Sequence, residues 1–171
     1  MRKFLMPDLI LPTYDHVTPQ LCRELGIRAI LSDIDNTLAP YEQPESDERI
    51  RAWLRELNEA GISVALISNN HADRVDRFNR DLGLIAYPDA GKPFGKMLRR
   101  AMRELGSDPS CTAMLGDQLL TDALAGKALG LTVLIVPPIR DKKTAFVRFK
   151  RYLERPYIRA YHKKHPKEEQ T

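Results

Sequence analysis

The sequence predicts a three-layer, doubly wound α/β domain with a Rossmann-like parallel sheet of about five strands. Short apolar runs alternate with longer stretches of helical periodicity along most of the 171 residues. Near-continuous apolar runs are typical of strands that are buried on both faces of a sheet. A glycine also follows each helical stretch, at Gly61, Gly83, Gly106 and Gly130, as expected where helices end.

Five apolar runs are the predicted strands of this sheet. They cover residues 28–32, 62–68, 84–87, 112–116 and 132–136. The first run ends at Asp33, and the second ends at Asn69 and Asn70. Strands and helices alternate along the chain, which indicates parallel strands joined by helical crossovers.

Four segments are the predicted helices of the outer layers. The first covers residues 46–60, with Ser46 as the expected N-cap and with Ile50, Trp53 and Leu57 on one apolar stripe. The others cover residues 72–82, 94–105 and 119–129. Ligands bind at the carboxyl ends of the strands in such sheets, so the polar residues that follow the strands form the candidate site.

Composition limits the class of protein. The chain is 43% hydrophobic and 29% charged, which is typical of a soluble protein with a core. Cys22 and Cys111 are the only cysteines, too few for a disulfide framework or a zinc site. Pro7 and Asp8 interrupt the N-terminal apolar run, and no stretch reaches the roughly 20 apolar residues of a transmembrane helix. We expect a cytoplasmic protein that contacts membranes, if at all, at their surface.

Two carboxylates, Asp33 and Asp35, follow the first predicted strand. A carboxylate nucleophile beside a second acid is one solution to the hydrolysis of phosphate esters. Asp33 would then form an acyl-phosphate, and Asp35 would protonate the leaving alcohol and later activate water. The alternative is that either acid simply caps the following turn.

A carboxylate nucleophile repels an anionic phosphate, so such a site needs a cation. Mg²⁺ binds a few protein oxygens together with substrate phosphate, and Asp117 is placed to share this ion with Asp33. Asp122 either faces the same site or is a helix-start acid favoured by the helix dipole. Ser68 and Lys92 are candidates to hold the phosphoryl oxygens.

Four segments in order resemble the motifs of the haloacid dehalogenase (HAD) superfamily of phosphatases, over about residues 27–136. The segments are Asp33-Ile34-Asp35-Asn36-Thr37, Ser68-Asn69, Lys92-Pro93 and Gly116-Asp117-Gln118-Leu119-Leu120-Thr121-Asp122. The resemblance implies an HAD-like fold with Asp33 as nucleophile and with Asp35 as general acid and base. It also implies that Asp33, Asp117 and the backbone carbonyl of Asp35 bind Mg²⁺. The remaining implied roles are phosphate binding by Ser68, Asn69 and Lys92, and support of the site by Thr37 and Asp122.

Within that superfamily the chain resembles the YqeG-type branch of subfamily IIIA. It is also similar to fungal mitochondrial phosphatidylglycerophosphate phosphatase in residues 4–12, 33–38 and 116–122. The intervals between motifs, residues 38–67 and 70–91, leave no room for a cap domain. An uncapped site implies a large substrate or a partner subunit that covers it, and phosphatidylglycerophosphate is the first choice of substrate.

The basic charge is concentrated in the C-terminal segment, which divides the chain into a domain of residues 1–139 and a basic helical tail of residues 140–171. The tail holds 11 Lys and Arg against 4 Asp and Glu. An apolar stripe runs along it through Phe146, Phe149, Leu153, Tyr157 and Tyr161.

Three interpretations of this stripe stay open: docking on the sheet, contact with anionic lipid at a membrane surface, and binding of RNA. The alternative function is therefore an RNA-binding or ribonucleoprotein assembly factor with a vestigial or slow phosphatase site.

Overall fold

A six-stranded parallel sheet forms the centre of the computed structural model, which describes residues 5–140 and 145–165, except for the side chains of residues 145–151. The strands are β1 (Leu9–Ile10), β2 (Ala29–Ser32), β3 (Ser63–Ile67), β4 (Ile85–Tyr87), β5 (Thr112–Gly116) and β6 (Thr132–Ile135). Their spatial order is β1-β6-β5-β2-β3-β4, and all neighbours are parallel.

Helices cover both faces of the sheet. They are α1 (Pro19–Leu25), α2 (Glu48–Glu59), α3 (Ala72–Asn79), α4 (Lys96–Leu105), α5 (Leu124–Ala128) and α6 (Ala145–Lys164). Side chains of α2 and α3, including Trp53 and Phe78, pack on one face, and those of α4 and α5, including Leu98 and Ala125, pack on the other. The predicted three-layer, doubly wound fold is confirmed.

The position of β2 explains where a site can form. From β2 the chain adds β3 and β4 on one side, then returns to add β5 and β6 on the other. The carboxyl end of β2 therefore lies between those of β3 and β5, at the point where the winding direction reverses. Such a reversal leaves a crevice above the strands in which ligands bind.

Several predicted boundaries shift. The N-cap of α2 is Asp47, whose side chain accepts the Ile50 N–H at 2.9 Å, so the expected Ser46 cap is wrong. Ser46 and Asp47 are adjacent polar residues, and the apolar stripe of the helix is the same whichever of them is the cap. The stripe therefore could not identify the N-cap. Segment 119–129 is one turn of π-helix (Leu119–Ala123) followed by α5. Strand β1 and helix α1 were not predicted, because two strand residues at a sheet edge and a seven-residue helix carry little periodicity.

The four glycines expected to end helices all adopt left-handed backbone conformations. Gly61, Gly83, Gly106 and Gly130 have φ between 61° and 77°, a region that glycine enters without a Cβ penalty. Along residues 5–140, the β2–β3 connection contains α2 and the β3–β4 connection contains α3. The predicted absence of a cap domain is therefore confirmed. In the part of the chain that the structure describes, no helix combines the length and apolar character needed to cross a bilayer.

Helix α6 packs on the domain through part of the predicted stripe. Tyr157 and Ile158 contact a cluster formed by Leu5, Leu119, Ala123, Val133 and Ile135. Tyr161 is buried, and its hydroxyl accepts the Ile10 N–H at 3.1 Å. Leu153 is 40% exposed, so the domain does not cover this member of the predicted stripe. The side chains of Phe146 and Phe149 lie outside the described residues.

Candidate active site

Asp33 is the first residue after β2 and is buried at the base of a tight turn. Asn36 has φ of 64°, and its N–H donates to the Ala39 carbonyl at 2.7 Å. This reversal brings Thr37 back over the strand end, where its hydroxyl donates to Asp33 Oδ2 at 3.3 Å. The turn thus holds the Asp33 carboxylate in one orientation.

Three buried carboxylates meet at the carboxyl edge of the sheet. Asp33, Asp117 and Asp122 each offer an oxygen within 4.8 Å of the other two. Buried Lys92 donates from Nζ to Asp33 Oδ1 at 2.8 Å and to Asp122 Oδ1 at 2.7 Å. Three carboxylates around one ammonium give the cluster a net charge of −2, which a divalent cation would balance. Carboxylate oxygens are the ligands that hard divalent cations prefer.

Burial and charge act in opposite directions on these groups. Burial raises the pKa of Asp33 to about 6, although the Lys92 ammonium opposes the rise. Burial alone would lower the pKa of Lys92, but the carboxylates of Asp122 and Asp33 outweigh it and hold that pKa above its ordinary value. Lys92 is therefore a permanent positive charge in the site.

The orientation of Asp122 depends on a close approach to Gly116. A Cβ placed on Gly116 would lie 2.3 Å from Asp122 Cγ, so only glycine fits at the end of β5. Asp122 Oδ2 accepts the Gln118 N–H at 3.1 Å. This hydrogen bond closes the loop after β5 around the Asp122 carboxylate. The glycine and the acid of this motif form one packing unit.

Asn69 clamps the backbone of Lys92. Its side-chain oxygen accepts the Lys92 N–H at 2.8 Å, and its Nδ2 donates to the Lys92 carbonyl at 3.0 Å. Ser68 is also buried, and its Oγ accepts the Asn70 N–H at 3.0 Å. Asn69 therefore sets the position from which Lys92 reaches the two carboxylates.

A cleft of about 120 Å³ opens above these groups. Its lining residues are Asp33, Asn69, Lys92, Gln118, Thr121 and Asp122. Gln118 and Thr121 were not singled out from the sequence, although they stand between Asp117 and Asp122 in the fourth motif. Their position between two candidate acids is the sequence feature that could have identified them as site residues. Four residues predicted for the site thus line one common cleft.

Asp35 has different neighbours from the three clustered acids. Its Oδ2 accepts from Asn70 Nδ2 at 3.0 Å, and its Oδ1 accepts from Arg74 Nε at 3.2 Å. The Arg74 guanidinium also donates to the Pro44 carbonyl and lies over the Phe78 ring. Nothing in the sequence distinguished Arg74 from the other arginines of the chain. The side chain of Asp35 thus lies beside Asn70 and Arg74 and outside the cluster of three acids.

A doubly wound parallel sheet with a buried acidic cluster at its carboxyl edge places this chain among the α/β proteins that bind ligands at that edge. The family model of haloacid dehalogenase-like hydrolases matches residues 20–130, and the chain belongs to this family. It is 35% identical over 164 residues to the protein named "Probable phosphatase YqeG" of Bacillus subtilis (strain 168), covering 96% of this chain and 95% of that one. The expected HAD-type phosphatase of the YqeG-type branch is confirmed.

Solved structures share the fold at lower identity. The cobalt-bound deoxy-D-mannose-octulosonate 8-phosphate phosphatase of Haemophilus influenzae has a TM-score of 0.55 and 19% identity, covering 80% of this chain and 90% of that one. A Legionella pneumophila protein assigned to HAD subfamily III A has a TM-score of 0.51 and 19% identity, covering 85% and 89%. At these identities the likeness shows the fold alone.

Proposed function

We propose that the chain is a Mg²⁺-dependent phosphatase that hydrolyses a phosphate monoester through an aspartyl-phosphate on Asp33. The observation that carries this proposal is the meeting of Asp33, Asp117 and Asp122 beside Lys92 in one cleft. The cleft combines a buried carboxylate with a fixed positive charge, which are the groups that a phosphoryl transfer to a carboxylate requires.

The donor set fits a divalent cation. Asp33, Asp117 and the backbone carbonyl of Asp35 would hold Mg²⁺, with Asp122 and Thr37 supporting them. When bound, Mg²⁺ supplies the positive charge that lets an anionic phosphate approach an anionic carboxylate. The negative balance of three carboxylates and one ammonium supports this assignment, and their all-oxygen chemistry favours Mg²⁺ over softer metals.

The chain's own residues would carry out two displacements. Asp33 attacks phosphorus and the ester P–O bond breaks, while Asp35 gives its proton to the leaving alcohol oxygen. Asp35 then takes a proton from water, whose oxygen attacks the phosphorus of the aspartyl-phosphate and releases phosphate and free Asp33. Lys92, Ser68 and Asn69 hold the phosphoryl oxygens. Asp35 must turn away from Arg74 to reach the leaving oxygen.

Phosphate release from an aryl phosphate tests this proposal. We expect the wild-type protein to release phosphate in Mg²⁺ and to stop when a chelator removes the metal. Asp33→Asn should lower release to background while the protein stays folded. The matched control is Asp89→Asn, an exposed carboxylate on the same edge of the sheet, which should keep wild-type activity. Protein that is inert on every ester but binds RNA in a salt-dependent way would favour the alternative function.

We further propose that the substrate is large and carried by an anionic lipid surface, with phosphatidylglycerophosphate as first candidate. The uncapped site supports a large substrate. A groove of about 990 Å³ between residues 6–8 and α6 supports the lipid surface. It combines exposed Tyr152 and Leu153 with the cations Arg155, Arg159 and Lys164, while Lys127 in the same groove pairs with Asp8. Apolar side chains among cations are typical of surfaces that bind anionic lipid. A cytoplasmic location stays a prediction.

Vesicles with and without anionic lipid test the lipid surface. The triple variant Arg155→Gln, Arg159→Gln, Lys164→Gln should bind phosphatidylglycerol vesicles roughly 100-fold more weakly, at about 1 kcal/mol for each cation. It should keep its rate on a soluble aryl phosphate. The control removes three exposed arginines elsewhere, at Arg77, Arg80 and Arg103. If both triple variants bound the vesicles equally well, the lipid proposal would be wrong. It would also be wrong if the wild type hydrolysed lipid and soluble esters at the same rate and neither variant changed these rates.

A further inference from the structure

Helix α6 places one buried carboxylate against the domain. Glu154 is 1% exposed, and its Oε1 accepts the N–H of Leu119 at 2.9 Å and the N–H of Leu120 at 3.2 Å. The first N–H groups of a helical segment have no partner within the segment, and a buried carboxylate is stable only when it is hydrogen-bonded. Glu154 and the start of this turn therefore satisfy each other.

The turn that Glu154 holds is the one that carries the acidic residues of the fourth motif. Asp117 lies two residues before Leu119, and Asp122 lies within the same π-turn. Asp122 in turn accepts from Lys92 Nζ, which also donates to Asp33. A continuous series of hydrogen bonds and backbone thus runs from α6 to the proposed nucleophile.

The contact of Glu154 belongs to a fixed part of α6. Tyr157 and Ile158 pack on the apolar cluster beneath the helix, and Tyr161 is hydrogen-bonded to the backbone of Ile10 one turn further on. Leu153 and Arg155, on either side of Glu154, are exposed. Within this turn of α6, Glu154 is therefore the residue that faces the Leu119–Ala123 turn.

We propose that Glu154 is a positioning residue of the active site, which holds the Leu119–Ala123 turn so that Asp117 and Asp122 face the cleft. Helix α6 is then part of the catalytic unit, although it lies outside the residues matched by the family model. This inference rests on the proposed Mg²⁺-dependent function. Residues that orient metal ligands through hydrogen bonds change metal affinity when they are removed, typically by 10- to 100-fold.

Mg²⁺ affinity and amide exchange of the full chain test this role. We expect Glu154→Ala to weaken Mg²⁺ binding at least about tenfold and to speed hydrogen exchange at the Leu119 and Leu120 amides. Glu154→Gln keeps an acceptor oxygen but loses the charge, so its effects should be smaller and of the same sign. Lys163→Ala, at an exposed position of the same helix, and Tyr161→Phe, which removes a second polar contact of α6 with the domain, should bind Mg²⁺ as the wild type does.

Each outcome decides between positioning and simple docking. Wild-type Mg²⁺ affinity in both Glu154 variants overturns the inference, and so does equal weakening by Tyr161→Phe, because docking alone would then be enough. If Glu154→Ala does not fold, the same two measurements on Glu154→Gln decide. A wild-type protein that neither binds Mg²⁺ nor releases phosphate overturns the proposed function, and this inference with it.

Discussion

At the scale of single residues, Asp33 experiences two opposing effects. Burial removes water from its carboxylate, while Lys92 donates a charged hydrogen bond to it at 2.8 Å. Burial dominates, and the pKa rises to about 6, against roughly 3.9 in an unfolded chain. The metal-free protein therefore carries an ionised carboxylate at neutral pH in a place that favours the neutral form.

This conflict predicts a pH-dependent effect of Asp33→Asn on stability without metal. Because the folded pKa is raised, the contribution of Asp33 is fully favourable below the unfolded pKa and is lost as pH rises through about 6. The variant does not titrate at this position, so its melting temperature should exceed that of the wild type increasingly from about pH 4 to pH 6.5. Thermal melts in chelator measure the difference. A difference that does not change with pH would show that burial does not govern Asp33.

Asp35 gives the second prediction at this scale. As the proposed proton donor and acceptor, it should contribute a factor of roughly 10² to 10⁴ to turnover, so Asp35→Asn should lower kcat on an aryl phosphate by that amount. The amide preserves the size of the side chain that Asn70 and Arg74 contact, so folding should be little affected. Asp89→Asn is again the control. A variant with wild-type kcat would assign Asp35 to a structural contact with Arg74.

At the scale of elements, the end of β5 and the following turn are built as one unit. Gly116 lies directly against Asp122. A Cβ at position 116 would be 2.3 Å from Asp122 Cγ and would overlap it. The turn is held from outside by Glu154 and from inside by the Gln118–Asp122 hydrogen bond. Small displacements of this unit would move two candidate acids together.

Gly116→Ala is therefore expected to displace Asp122 and to remove most of the activity. The added methyl group must displace the carboxylate, which would break its hydrogen bonds to Lys92 and to the Gln118 N–H. We expect the loss of activity to exceed the loss of stability, with kcat/KM and melting temperature as the measurements. Gly106→Ala is the control, since that glycine has φ of 64° with open space around its Cβ position. The control should lose roughly 1 to 2 kcal/mol of stability and no activity. Equal kinetic effects in the two variants would show that the close approach is unimportant.

At the scale of the whole molecule, the proposed metal site joins segments that are far apart in the chain. Asp33 follows β2 and Asp117 follows β5, so an ion bound by these two carboxylates would link the ends of two neighbouring strands at the centre of the sheet. An ion that binds the folded state and not the unfolded chain stabilises the fold by mass action.

Mg²⁺ should therefore raise the melting temperature of the wild-type protein. At a hundred times its Kd the gain is about 2.7 kcal/mol, which corresponds to roughly 5 to 10 °C for a protein of this size. Asp117→Asn removes one proposed ligand and should abolish most of the shift. Calorimetric melts over a series of Mg²⁺ concentrations measure it, with Asp108→Asn, an exposed acid before β5, as control. Equal shifts in the two variants would place the ion elsewhere.

The sequence by itself determined the layers, the alternation of strands and helices, and the family. Buried parallel strands appear as apolar runs, helices appear as amphipathic stretches that end at glycine, and the ligand-site residues of such a sheet follow its strands. These are local patterns, readable without coordinates. Five of the six strands and the segments around Asp33, Ser68, Lys92 and Asp117 were therefore predictable, whereas β1 was too short to carry a pattern.

Only the tertiary structure decided which side chains meet. Arg74 beside Asp35, the close approach of Gly116 and Asp122, and the contact of Glu154 with a turn 34 and 35 residues before it leave no periodic signal. The tail shows the limit most clearly. Two residues of its predicted stripe, Tyr157 and Tyr161, do face the domain, but in the preceding turn Leu153 is exposed and Glu154 is the buried residue. Hydrophobicity along the chain does not predict this exchange, because Glu154 is buried by its hydrogen bonds to backbone N–H groups of a distant turn.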